Sequence, residues 1–229
     1  AGMTFELALR WTEILFGIAI LLPSLEHFRA GQSERTLFAL RALFAIFLIS
    51  GLSPLLACLG LCVIAIMILH RFQGPYNGGS DRMGLLILFC LTPAHLLPQQ
   101  NWKEIAFGYL GLQLTLSYFI SGWVKIRNPD WRSGRALRDV FAFSAYPVSE
   151  NLRQLSKRKT LLLIGSWVVI ICELLFPFSL LSHWTLILFL GLATAFHLSN
   201  AVFFGLNRFV LTWISAYPSI LWLQSRLIG

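Results

Sequence analysis

Few residues in this sequence can do chemistry, and most of them sit inside apolar runs. Lys125 closes a stretch that reads Tyr118-Phe119-Ile120-Ser121-Gly122-Trp123-Val124. A lysine in such a place either snorkels its ammonium to the membrane interface or is a desolvated amine that can act as a base. Gly122, one turn earlier, would let a ligand or another helix approach closely. His197 and Asn200 are three residues apart within Ala195-Phe196-His197-Leu198-Ser199-Asn200, hence on one helix face. They offer donors and an acceptor to a quinone-like or carbonyl head group. As mere glue between helices, such a pair would be worth roughly 1 kcal/mol. Glu173 stands in mid-run, four residues before Pro177. Pro177 has no N–H for the Glu173 carbonyl, so a kink and a small polar pocket are expected there. Arg10 and Glu13, three apart, read as a local ion pair.

Two further groups are weaker. Tyr76-Asn77-Gly78-Gly79-Ser80-Asp81 joins two apolar runs. Its Asn-Gly and Gly-Gly steps favour a tight turn, and successive N–H groups there could form an anion nest. Asn77, Ser80 and Asp81 are therefore further candidates. Cys58, Cys62, Cys90 and Cys172 all fall within apolar runs. Cys-x-x-x-Cys is neither a redox nor a zinc spacing, so these read as buried, reduced thiols and no metal site is expected.

The elements that must position these groups follow from composition. Of 229 residues, 57% are hydrophobic and only 12% charged. A soluble domain carries about 25% charge. The balance excludes a disordered chain, a secreted disulfide scaffold and a nucleic-acid-binding module. It implies a multi-pass integral membrane protein. A span takes about 20 apolar residues, and eight runs come close: 5–24, 36–52, 54–71, 83–98, 104–125, 160–182, 184–204 and 208–225. The expected fold is an all-α membrane bundle of about eight transmembrane helices forming one domain, residues 1–229. Between Arg127 and Lys159 lies the longest polar stretch, opened by the turn Asn128-Pro129-Asp130. From Gly134 to Tyr146, Leu137, Val140 and Phe141 share a face while Arg135, Arg138 and Asp139 lie elsewhere, the pattern of an amphipathic interfacial helix.

The net charge of +8 is gathered mainly in alternate loops. Positive residues stay inside, which puts the 127–159 loop in the cytoplasm and both termini outside.

Taken together, the motifs resemble a known family. Tyr118-Phe119-Ile120-Ser121-Gly122-Trp123-Val124-Lys125, then Asp130-Trp131 and Gly134, is similar to a signature of vitamin K-dependent gamma-glutamyl carboxylase. Phe196-His197, Asn200, Phe204-Gly205, Phe209 and Pro218 resemble that family's Phe-His-x-x-Asn run. Leu9-Arg10 with Phe16-Gly17 resembles its opening. The three matches are in the family's order and identify the chain as similar to the HTTM (horizontally transferred transmembrane) superfamily, of which the carboxylase is one member.

The resemblance implies a quinone or hydroquinone cofactor resembling vitamin K. It makes Lys125 the base that deprotonates this cofactor, with His197, Asn200 and Trp131 as cofactor-binding residues; Glu173, from its place in the expected polar pocket, is a further cofactor-binding candidate. It further implies membrane lipid and a peptide substrate or partner membrane protein as partners, and a bacterial inner membrane as the location. In the carboxylase the lysine chemistry faces the lumen, opposite to the side the loop charges give. The carboxylase also carries Asn-Asn-His in the loop matching Asn77–Asp81. That His is absent, so glutamate carboxylation itself is not implied. The alternative is a non-enzymatic subunit that scaffolds a maturation complex, with the same polar residues joining helices.

Overall fold

The computed structural model describes residues 2–28, 34–71, 78–143 and 149–228. No strand occurs among them. Their helices are α1 (Phe5–Phe28), α2 (Arg35–Ser50), α3 (Pro54–Arg71), α4 (Gly79–Leu96), α5 (Gln100–Arg127), α6 (Pro129–Arg132), α7 (Arg135–Phe143), α8 (Glu150–Arg153), α9 (Lys159–Leu175), α10 (His183–Phe204) and α11 (Asn207–Ile228). All eight apolar runs become helices. Four of these are long and apolar enough to cross a membrane: α3, α5, α9 with its continuation to Leu181, and α10. The fold is an all-α membrane bundle. In hydrocarbon a helix satisfies its own backbone, which leaves side-chain polarity as the quantity to be placed.

The chain divides into two compact units, Ala1–Leu112 with Leu211–Leu227, and Gln113–Val210. In the first unit, Phe5 meets Phe107 and Trp222 edge-on, with centroids 5.6 and 5.5 Å away. Arg10 and Glu13 do pair, at 2.6 Å, but the cluster is larger than a local pair. Glu13 also meets His95 of α4 at 2.6 Å, and Arg10 donates to the carbonyls of Leu48 and Ile49. Those carbonyls end α2, where the chain turns through left-handed Gly51 (φ 77°), so no later N–H reaches them. The guanidinium thus serves both the buried carboxylate and the negative end of α2.

The second unit holds the later part of α5 and α6 to α10. Local sequence sets the ends of α10. Ser182 and Thr185 form a capping box, and Gly205 (φ 70°) closes the helix in the left-handed region. Helix α9 does not run on through Pro177. It gives way to a 3-10 segment, Phe176–Leu181, and the Phe176 N–H donates to the Glu173 carbonyl. The expected kink is therefore a change of helix type. The amphipathic element is α7, described from Arg135 to Phe143; the rest of the expected segment, from residue 144, lies outside the described set. Phe141 is buried with Leu162 and Phe204, and Leu137 packs on them. Val140, three residues from Leu137, is 40% exposed.

Candidate functional site

The unit Gln113–Val210 contains a cavity of about 330 Å³ lined by residues of α5, α9, α10 and the 3-10 segment. Its walls are apolar, with Val168, Val169, Phe176, Phe189, Leu192 and Phe196 prominent. The polar side chains among its lining residues are Tyr118, Glu173 and Ser199. Ser199 donates to the carbonyl of Phe196 in its own helix. Tyr118 and Glu173 remain, and each is backed by a second polar residue.

Behind Glu173 stands Lys125. The ammonium lies 2.8 and 2.7 Å from the two carboxylate oxygens. Their side chains are only 16% and 8% exposed. Burial of such a pair is tolerable because each charge has its partner at hydrogen-bond distance. The pair joins α5 to α9, and Gly122 is why it can form. A Cβ there would lie 2.7 Å from the Leu174 nitrogen and 2.9 Å from Glu173 Cβ. The close approach expected of Gly122 is made by a helix.

Trp131 covers the other side of the lysine, its ring centroid 5.1 Å from Nζ, a cation–π contact. The short helix that carries it is fixed by its own sequence. Asn128 accepts from the Asp130 N–H, and Pro129 occupies the first turn. Helix α9 then holds it: Ser166 donates to the Trp131 carbonyl and the Trp167 indole to that of Arg132. Gly134 follows at φ 72°, where an added Cβ would meet Leu163 Cα at 2.8 Å. The Asp-Trp-x-x-Gly spacing is thus a device for laying an indole over the lysine.

Behind Tyr118 stands His197, with Tyr118 Oη and His197 Nε2 2.9 Å apart. Both are buried, at 5% and 4% exposure. The Tyr118 ring stacks on Phe176 at 4.1 Å, which fixes the direction of its hydroxyl. Tyr118 and Lys125 are seven residues apart on α5, two turns or about 10 Å along the axis, so they share a face.

Of the residues singled out from sequence, Lys125, Glu173, Trp131 and His197 are therefore brought together in this unit. Lys125 and His197 are not themselves lining residues; they reach the cavity through Glu173 and Tyr118. Asn200 is half-buried, and its carbonyl accepts from Gly205 and Leu206 where α10 ends. Ser80 and Asp81 lie in the first turn of α4, in the other unit, and Asn77 falls outside the described residues. Sequence reasoning missed the Tyr118 hydroxyl and the third member of the Arg10–Glu13 cluster, His95. The first could have been found from the seven-residue spacing to Lys125. The second is 82 residues from Glu13, and no local pattern announces it. Among the described residues there is no group of three His, Cys, Asp or Glu that could hold a metal.

A bundle with buried ion-paired and hydrogen-bonded groups around an apolar cavity is the class this structure defines. The HTTM domain profile matches residues 97–224, more than half of the chain, and so the protein belongs to the HTTM family. With its apolar helices, it is an integral membrane protein. No curated protein and no solved structure matches it.

Proposed function

We propose that this protein is a quinone- or hydroquinone-linked membrane enzyme related to the vitamin K-dependent carboxylases, and that it works in a bacterial inner membrane. The observation that carries this reading is the cavity itself. It combines apolar walls with two buried polar pairs, Lys125–Glu173 and Tyr118–His197, each presenting one member to the interior. Ligand sites have this make-up: a mostly apolar surface with a few convergent polar groups, at volumes of about 300 Å³ and above. A redox-active ring on an apolar tail fits such a donor set, with the tail against Val168, Leu192 and Phe196.

When bound, such a group supplies protons and electrons, with dioxygen as the electron acceptor. The chain's own residues would do the rest. The Lys125–Glu173 pair takes up a proton at one end of the cavity. The Tyr118 hydroxyl, held by His197, orients the ring oxygen at the other. The apolar walls exclude water, which strengthens both interactions. Trp131 shields the lysine, and lipid or a partner chain would deliver the substrate to be modified.

One observation favours a second reading, a scaffold without catalysis: both polar pairs also bind α5 to its neighbours, as intramembrane glue does. Proteoliposomes given a short-chain 1,4-naphthohydroquinone separate the two. Oxidation above empty vesicles, lost when Ala195 at the cavity wall is replaced by Trp, supports the enzyme. A rate equal to empty vesicles, with no saturable naphthoquinone binding, supports the scaffold.

A further inference from the structure

The expectation that Lys125 is the base meets a geometric difficulty. Its Nζ is closed in by the two Glu173 oxygens at 2.8 and 2.7 Å and by the Trp131 ring. An ammonium has three donors and no acceptor. Two of those donors are spent on Glu173 and the indole face covers another side. Glu173, by contrast, lines the cavity, and a carboxylate has about four lone-pair sites, of which Lys125 uses two. Among the residues that line the cavity, Glu173 is the one that carries a carboxylate.

Backbone geometry holds it there. Glu173 is in the last turn of α9, two residues before the helix ends at Leu175. The passage into the 3-10 segment at Phe176 fixes that turn, and Gly122 presses against it from α5. That contact fixes the backbone and Cβ of Glu173, and the two hydrogen bonds from Lys125 hold its carboxylate.

We infer that the proton-accepting residue of this site is Glu173, and that Lys125 is a positioning residue acting through it. This rests on the reading of the cavity as a hydroquinone site. The O–H bond of the ligand breaks, its electron pair stays on the ligand oxygen, and the proton forms a new O–H bond on a Glu173 oxygen. Lys125 stays behind the carboxylate, where its two hydrogen bonds aim the Glu173 oxygens and its positive charge is held against them rather than against the ligand. A lysine in this role is replaceable by another cation. A lysine that is itself the base is not, because Arg does not give up its proton.

The test uses the full chain in proteoliposomes with two readouts. One is binding of oxidised short-chain 1,4-naphthoquinone, followed by quenching of tryptophan fluorescence. The other is the infrared difference spectrum on adding the hydroquinone, which reports protonation of a carboxylate. The parent should bind and should show the carboxyl signal. Glu173→Gln should bind the quinone, lose the signal and oxidise hydroquinone at least about 100-fold more slowly, the low end of general-base effects. Lys125→Met should also lose turnover, and Lys125→Arg should rescue most of it, with the carboxyl signal present. Since Glu173→Gln leaves a buried ammonium unpaired, the neutral double variant Lys125→Met, Glu173→Gln stands in if the single one fails to fold. It should bind and lack the signal.

A carboxyl signal that persists in Glu173→Gln or the double variant overturns the inference. So does Lys125→Arg as inactive as Lys125→Met. Naphthoquinone binding by the parent with no carboxyl signal overturns the inference alone. A parent that binds no naphthoquinone overturns the ligand reading and the inference with it.

Discussion

Replacing Gly122 with Ala tests whether the Lys125–Glu173 pair depends on the contact between α5 and α9. Two effects compete. In a helix interior Ala is favoured over Gly by about 0.5–1 kcal/mol. Against this, the new methyl would sit 2.7 Å from the Leu174 nitrogen, 2.9 Å from Glu173 Cβ and 3.0 Å from the Glu173 carbonyl carbon. Ordinary contact begins at 3.4 Å, so the shortest approach is deficient by 0.7 Å. Two of these three atoms are backbone, and no rotamer change relieves the clash. The helices must part, and overpacking of this kind costs about 1–3 kcal/mol. The net expectation is destabilisation by about 1–2 kcal/mol, or a fall in Tm of about 2–8 °C for a chain of this size. Gly191→Ala is the internal control. It lies inside α10 with nothing within 4 Å of its added methyl, so only the propensity gain applies. Thermal unfolding in one detergent should lower Tm for Gly122→Ala and leave it equal or higher for Gly191→Ala. Should both variants rise together, the close packing behind the ion pair is wrong.

Other outcomes follow from the same geometry. Gly134→Ala combines a left-handed backbone with a methyl 2.8 Å from Leu163 Cα, so Tm should fall, and the tryptophan emission should shift as Trp131 leaves Lys125. Glu13→Ala strips partners from Arg10 and His95 and should cost about 1.5–3 kcal/mol in chemical unfolding, while Glu13→Gln, which can still bond both, should cost less. With native cysteines replaced, a cysteine at Ser156 should be labelled by impermeant maleimide only after cells are broken open; labelling in intact cells would reverse the orientation drawn from loop charge.

Helix positions were legible in the sequence because hydrocarbon leaves so few choices. Runs of apolar residues, the Ser182 cap, Gly205 and the turn at Asn128-Pro129 each act locally, and each element follows. The chemistry-bearing residues were legible because polar groups in such runs are costly and stand out. Their pairing was not. Lys125 and Glu173 are 48 residues apart, and Tyr118 and His197 are 79 apart. Such contacts depend on how helices cross, which a one-dimensional pattern does not encode. Gly122 comes nearest to a signal, since a small residue beside a buried charge marks where another helix arrives.

The central claim is that the cavity of the Gln113–Val210 unit holds a quinone ring between Glu173 and Tyr118. The most direct measurement is photo-crosslinking of the membrane-embedded protein with an azido-naphthoquinone, with attachment sites mapped by mass spectrometry. Adducts are expected on the cavity walls, chiefly at Val169, Cys172 and Phe196, that an excess of unlabelled naphthoquinone suppresses and that Ala195→Trp abolishes. Adducts confined to outward-facing residues such as Val168 neighbours Ile164 and Ile171, undiminished by competitor, would contradict it.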